Sequence, residues 1–398
     1  MSGVLSREFA GYAGQSSMIR RMFEAGIKLK LEHGADKVCD FSLGNPDLPP
    51  PAEVAEGMRA IAREADQPFA FGYMPNAGFP WALELLAGEL TREQGVRVEP
   101  SDVMLAGGAA GAMNSFLRAV LEPGDEVLGV LPYFVDYGFY AANFGGIFKA
   151  VPAKADFSLD VPAIEAAITK KTRVMLINSP NNPTGQIYSE AELTSLAAVL
   201  RRKSAENGRP VFLALDEPYR FLAFEGTAVP SVLPLYEYSV AVSSFSKSLS
   251  LPGERLGYLV AANSMPDKNV FMGGVIMASR VLGFVNAPVV GQKLLKYAIG
   301  KQADLSVYAK RRTVMAAALA DAGYEFTSPK GAFYFFPKAP GGDDAAFVEL
   351  LADELILAVP GRGFGLPGYF RLAFCVGEEV IRRAAPGFKR ALLAVKQH

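Results

Sequence analysis

The sequence predicts an α/β protein: helices flanking a mostly parallel central sheet, joined to a smaller α+β part. Three observations lead there. From Asp102 to Val260, short apolar runs alternate with segments of helical spacing, the rhythm of crossover connections between parallel strands. The stiff segment Pro46-Asp47-Leu48-Pro49-Pro50-Pro51 forbids regular helix and sets an N-terminal helix apart from that alternation. Near Pro288 the texture changes to long helical stretches followed by two aromatic runs. A chain of 398 residues is long enough for two domains. The expected division is 48–288 for the large part, with 1–47 and 289–398 forming the small one.

In chain order, Ser16–Glu32 has helical spacing, with Met18, Met22, Phe23 and Ile27 apolar and basic residues between them. Beyond the prolines, Asp102–Ala106 reads as a strand and Ala109–Leu121 as a helix. Glu126–Leu131 and Ile147–Val151 read as strands, Pro162–Ile168 as a short helix and Arg173–Ile177 as an apolar strand. Glu190–Lys203 is an amphipathic helix. Val211–Leu215, Val240–Val242 and Leu256–Val260 are further strands. Val289–Ala320 reads as one long helical stretch, and Gly331–Phe336 and Tyr369–Phe374 as strands with helices between.

Half the chain is hydrophobic and a fifth is charged, the balance of a globular enzyme. A net charge of -1 gives no electrostatic case for nucleic acid or an anionic membrane. Cys39 and Cys375 make no disulfide framework, and His33 and His398 fall outside any ligand spacing, so metal and Ser-His-Asp chemistry are both poorly supported. Met1–Glu8 lacks the layout of a signal peptide, and no uncharged apolar run reaches the ~18 residues of a membrane span. The chain reads as a cytoplasmic soluble protein.

In open α/β sheets ligands collect beyond the carboxyl ends of strands, and four groups fall there. Gly107-Gly108-Ala109-Ala110-Gly111 stands between a strand and a helix, where small residues let backbone N–H groups meet an anion; close helix–strand packing is the plainer reading. It lacks the G-x-G-x-x-G order of a dinucleotide site. Asn178-Ser179-Pro180-Asn181-Asn182-Pro183-Thr184-Gly185 is a rigid irregular turn that aims its Asn side chains. Asp216-Glu217-Pro218-Tyr219 follows an apolar strand. Its aspartate suits a cationic nitrogen and its tyrosine a phenolic oxygen, although a lone strand-end Asp is more often merely solvated. Ser243-Ser244-Phe245-Ser246-Lys247 places one lysine among hydroxyls, with Arg255 eight positions on. Burial there would make Lys247 a neutral, nucleophilic amine, against the bland alternative of a solvated loop lysine. A phosphate, a ring nitrogen, a ring hydroxyl and an aldehyde are the four needs these groups meet, and pyridoxal phosphate has all four.

On these motifs the chain resembles the class I/II aminotransferases of the aspartate aminotransferase superfamily, fold type I, from Phe41-Ser42-Leu43-Gly44-Asn45-Pro46 to Arg371. The resemblance implies that Lys247 forms the Schiff base, that Asp216 pairs with the pyridine nitrogen, and that Tyr219 and Asn182 bond the ring oxygen. It assigns the phosphate to Ser244, Arg255 and the backbone of Gly108, Ala109 and Ala110, and the ring-stacking aromatic to Phe134. It gives Tyr73 to the phosphate of a neighbouring subunit, implying a homodimer with shared sites. Arg371 becomes the clamp for the substrate α-carboxylate, a bidentate task, with Gly44 beside it. Phe134 as plain core and Arg371 as a structural ion pair are the alternatives.

The implied activity is amino transfer between an L-amino acid and a 2-oxo acid, with ping-pong kinetics. Two features bear on substrate. Many relatives carry Ser, Thr or Gln at Ala110, and some dicarboxylate-specific ones carry lysine; Arg280 would be a substitute contact for a distal carboxylate from the partner subunit. A β-lyase, decarboxylase or related synthase on the same fold would use the same lysine and aspartate. A nicotinamide-dependent dehydrogenase and a cofactor-sensing regulator are the remoter readings.

Overall fold

The computed structural model describes residues 4–6, 9, 11–12 and 18–395. The predicted helix start at Ser16, the side chains of Met18, Met22 and Phe23, and His398 lie outside them. A helix at Met18–His33 leads into β1 (Cys39–Asp40), and the proline-rich segment that follows is neither helix nor strand. The next strands are β2 (Val103–Gly107), β3 (Glu126–Leu131), β4 (Ile147–Pro152), β5 (Thr172–Asn178), β6 (Phe212–Asp216), β7 (Ser239–Ser244) and β8 (Leu256–Ala261). They form one sheet in the order β2-β8-β7-β6-β5-β3-β4, parallel throughout except that β8 runs against both neighbours.

Both faces of this sheet are buried, which is why its strands are continuously apolar. Leu105, Leu128, Met175, Leu213, Ala241 and Val260 pack on one side. Met104, Val127, Val174, Ala214, Val240 and Leu259 alternate with them onto the other. This part of the chain is thus three layers with the sheet in the middle. Among the described residues no helix is long and apolar enough to cross a membrane.

The remaining strands are β9 (Tyr334–Phe335), β10 (Ile356–Leu357), β11 (Val359–Pro360) and β12 (Phe370–Ala373). β9, β11 and β12 form an antiparallel sheet with β12 in the centre, and β10 pairs parallel with β1, so the N-terminal segment joins the C-terminal part. Their core is separate and aromatic, built from Phe41, Tyr308, Phe333, Phe347, Phe370 and Phe388.

Several elements depart from expectation, and the helices Ala52–Arg63, Pro80–Gln94, Asp136–Ala142 and Glu378–Val395 were not marked in the sequence at all. The stretch Val289–Ala320 is two helices, Val289–Ala298 and Leu305–Ala322, because Gly300 turns to φ 72° and Asp304 caps the second through Ser306 N. The run Gly331–Phe336 shortens to β9 because Ala332 sits at φ 54°, outside extended backbone. The helix Lys268–Val281 went unforeseen: Gly273 and Gly274 weaken its propensity, and Met272 and Val275, buried beside the sheet, override them. Leu294, Leu295 and Ala298 belong to the large sheet's core. We therefore propose that the large and small parts meet in the 299–304 connection, one helix beyond the 289 boundary the texture suggested.

Candidate active site

Sheet register sets the site. Asn178 ends β5 opposite Asp216, the last residue of β6, which lies opposite Val242 of β7. Gly107 at the end of β2 faces Leu256, and Ser244 at the end of β7 faces Gly257. The strand ends surround a cavity of about 430 Å³, lined among others by Ala109, Ala110, Phe134, Asn182, Asp216, Tyr219, Ser244, Lys247, Arg255 and Arg371. Ten of the expected site residues therefore meet in one place, and Gly44 lines it with them.

Lys247 sits on the short helix Phe245–Ser248 that starts from Ser244. Its Nζ donates to Gly44 O at 2.6 Å and stands 5.7 Å from the Phe333 ring centre. Burial, opposed by Cys375 and aided by the Arg371 and Arg255 charges, lowers its pKa to about 8. Among the described residues no carboxylate pairs with it, so the amine gives up its proton far more readily than a solvated lysine, although most of it is still charged at pH 7.

Asp216 is the site's buried acid. Tyr137 Oη donates to its Oδ2 at 2.5 Å, while Oδ1 is buried with no partner. Burial raises the carboxyl to about 6, against the Tyr137 bond, and the Glu217 charge adds to the rise. A buried carboxylate oxygen without a donor costs free energy until a cation or N–H arrives. The backbone around it is tied down: Asn178 Nδ2 donates to Asp216 O at 2.7 Å, and Asn182 N donates to Asn178 Oδ1 at 2.6 Å.

Arg371, on β12, shows the complementary deficit. Its guanidinium lies between the rings of Tyr334 and Phe364, 4.8 Å from each centre. Nη1 donates to Asn182 Oδ1 at 3.0 Å and Nη2 to Ser42 O at 2.6 Å, while Nε is buried and unpaired. Its hydrogen-bond acceptors are all neutral, and burial lowers its pKa. The structural ion pair considered from sequence is thus absent. Asn182 spends its carbonyl on Arg371, which leaves its Nδ2 as the group available to a ring oxygen.

At the other end Arg255, in left-handed backbone at φ 53°, anchors to Pro252 O at 3.0 Å and crosses Gly108. A Cβ on Gly108 would stand 2.7 Å from Arg255 Nη2. Gly257 is equally constrained, since its Cβ would overlap the backbone of Gly108 and stand 2.6 Å from Ala109 N. The glycines thus bring strand, helix N-terminus and guanidinium together into an anion cradle.

Two expected residues do not line the cavity. Gly108 lies behind Arg255 and shapes the cradle from there. Tyr73 is 95 % exposed and away from this chain's cavity. Arg280, exposed in the last turn of Lys268–Val281, is outside it as well. Tyr137 and Tyr334 line the cavity and were not foreseen. Tyr137 follows Phe134 at helical distance, a cue too weak to read alone. Tyr334 looked like one more core aromatic of its run.

This sheet, with a buried lysine and an aspartate that keeps one oxygen unpaired beyond its carboxyl edge, has the layout of a fold type I enzyme. The pattern for aminotransferase class I and II matches residues 36–388, and the chain belongs to that family. It is 30% identical to a probable aspartate/prephenate aminotransferase of Thermus aquaticus over 368 residues, covering 90% of this chain and 92% of that one. An amino transferase structure from Eubacterium rectale superposes with a TM-score of 0.94 at 35% identity, covering 98% and 99% of the two chains. The Thermus thermophilus aspartate aminotransferase with maleate gives 0.85 at 26% identity, covering 98% and 100%. The protein is an aminotransferase, and the dehydrogenase reading falls with the family match.

Proposed function

We propose that the cavity holds pyridoxal 5'-phosphate and that the residues around it carry amino transfer between an L-amino acid and a 2-oxo acid. The observation that carries this reading is a matched set of deficits in one cavity: an unpaired Asp216 Oδ1, an Arg371 with no acidic partner among the described residues, and a Lys247 amine buried without a carboxylate and lowered to about 8. The residues fit the cofactor. Asp216 Oδ1 would accept from its ring N–H, Tyr219 and Asn182 Nδ2 would donate to its ring oxygen, and Phe134 would cover its face. Ser244, Arg255 and the backbone of Ala109 and Ala110 would take its phosphate, with no side-chain donor from Ala110. Bound there, the cofactor supplies an aldehyde for amines and a ring that accepts the electrons of a Cα–H bond.

The chain's own residues do the rest. Arg371 fixes the substrate by its α-carboxylate and, already held by Asn182 and Ser42 O, needs no reorganisation to do so. Lys247 Nζ would take the proton from the substrate Cα and deliver it to the cofactor's aldehyde carbon, a task for which an amine near pKa 8 is matched to neutral pH. Asp216, kept anionic by Tyr137, holds the positive charge of the ring nitrogen in place.

We further propose a homodimer, in which Tyr73 reaches the partner's cavity. Phe69 at 93 % and Tyr73 at 95 % exposure support it, since large apolar side chains left this open call for a cover. The relatives' names point to aspartate and prephenate as substrate types to try first.

The test is a half-reaction screen. Purified protein loaded with the cofactor is given single amino acids, and conversion of its visible absorbance to the pyridoxamine form is followed. Conversion with at least one, and a pyridoxyl group on Lys247 after borohydride reduction and peptide mapping, are expected. Release of ammonia or CO2 without conversion would replace transfer by lyase or decarboxylase chemistry.

A further inference from the structure

Tyr219 and Tyr334 are both fully buried, and their hydroxyls lie 2.6 Å apart. A phenol has one proton, so one of the two must donate and the other accept. Tyr334 is held in place on three sides. Arg371 stacks on its ring, β9 pairs it with Ala373, and Gly44 lies against its hydroxyl, where any Cβ would overlap Tyr334 Oη. Burial raises both phenols; of the neighbouring titratable groups, Arg371 opposes that rise and Cys375 adds to it. Neither hydrogen-bonds to the two hydroxyls, so among the described residues each phenol's partner is the other phenol.

We propose that Tyr334 is a positioning residue for the cofactor's ring oxygen, acting through Tyr219 by a directed chain of donors. This rests on the pyridoxal phosphate reading above. If Tyr219 donated to Tyr334, its lone pairs would face an oxygen that carries negative charge. Once that oxygen is present, Tyr219 must turn its proton to the cavity, and Tyr334 must donate into Tyr219. A phenol that accepts one hydrogen bond is a better donor in the next. Tyr334 therefore strengthens the bond on the ring oxygen without touching it. Its contact with Arg371 places the same side chain beside the substrate's carboxylate clamp.

The consequence is spectroscopic. When the bound cofactor gives up the proton shared between Lys247 Nζ and the ring oxygen, charge gathers on that oxygen. A strong donor there favours the deprotonated form and lowers the pH midpoint of the visible band. Tyr334→Phe removes the outer donor and should raise this midpoint by about 0.5 to 1 pH unit, the worth of one neutral hydrogen bond. Tyr219→Phe should raise it further, and the double variant should equal Tyr219→Phe alone, since Tyr334 has no other route to the oxygen. 3-Fluorotyrosine placed at 334 keeps the shape, donates more strongly, and should move the midpoint down; it answers the question even where Tyr334→Phe folds poorly.

The wild-type and variant midpoints are read by absorbance titration of the loaded protein without substrate. An unchanged midpoint in Tyr334→Phe, no downward shift with fluorotyrosine, or additive shifts in the double variant would each overturn the chain. A wild-type protein with no borohydride-sensitive visible band would instead overturn the cofactor reading itself.

Discussion

Tyr137→Phe removes one oxygen, and the structure says what should follow. That oxygen donates to Asp216 Oδ2 at 2.5 Å and, among the described residues, is the one hydrogen-bond donor to a carboxyl group that burial has already raised to about 6. A donor to a carboxylate stabilises the charged form, so its loss raises the pKa further. At about 2 kcal/mol for a bond to a charged acceptor, the rise is roughly 1.5 units, to near 7.5. Only ionised Asp216 can receive the ring N–H, so protonation competes with cofactor binding. Cofactor affinity should fall about fourfold near pH 7 and about fifteenfold near pH 6, and recover to the wild-type value above pH 9. Equilibrium titration of the cofactor-free protein across that range measures it. A defect of equal size at every pH would mean that Tyr137 acts by shape, and no defect would mean that Asp216 is not the ring-nitrogen partner.

Arg371→Ala should lower kcat/KM for amino acid and oxo acid alike by about 10²- to 10³-fold, the worth of a desolvated charge-assisted pair, with the cofactor spectrum unchanged. Stopped-flow half-reactions distinguish this from cofactor loss. The rate at which cofactor-free protein captures the aldehyde should climb as pH rises through about 8, because burial makes Lys247 neutral there and not at 10.5; a midpoint near 10 would place the lysine in solvent. Gly257→Ala drives a Cβ into the backbone of Gly108 and Ala109, so it should cost more than about 2 kcal/mol in thermal unfolding and weaken cofactor retention, whereas Gly253→Ala, with open space around it, should do neither.

The fold was largely legible because its signals are local. Continuous apolar runs of strand length mark β2 to β8, and each prediction fell within a residue or two of the observed strand. β1 of the N-terminal segment pairs with β10 of the C-terminal part. The helices Ala52–Arg63 and Glu378–Val395 were missed despite amphipathic spacing, but at two other departures the cause was tertiary. Ala332 takes φ 54° in a run that looks extended, and Gly273 and Gly274 sit in a helix held by its packing. The 289–298 helix follows the large core because Leu294 and Leu295 fit under the sheet, a fact its composition does not carry.

The guanidinium at 371, inside β12, came with the family resemblance, whereas the residues alone pointed to chemistry just beyond strand ends: an amine at 247, an acid at 216 and a small-residue turn from Gly107 onward. Each of these is set by short-range order, since a strand that stops must present its last side chains to whatever lies beyond. Only the tertiary structure decided how those groups are left. It gave Asp216 one donor and one bare oxygen, surrounded Arg371 with rings and carbonyls in place of a carboxylate, and brought Tyr334, 115 residues away, onto Tyr219. Pairing and burial are properties of neighbours distant in sequence, and they, more than the residue types, set the pKa values and vacant valences that make the cavity reactive.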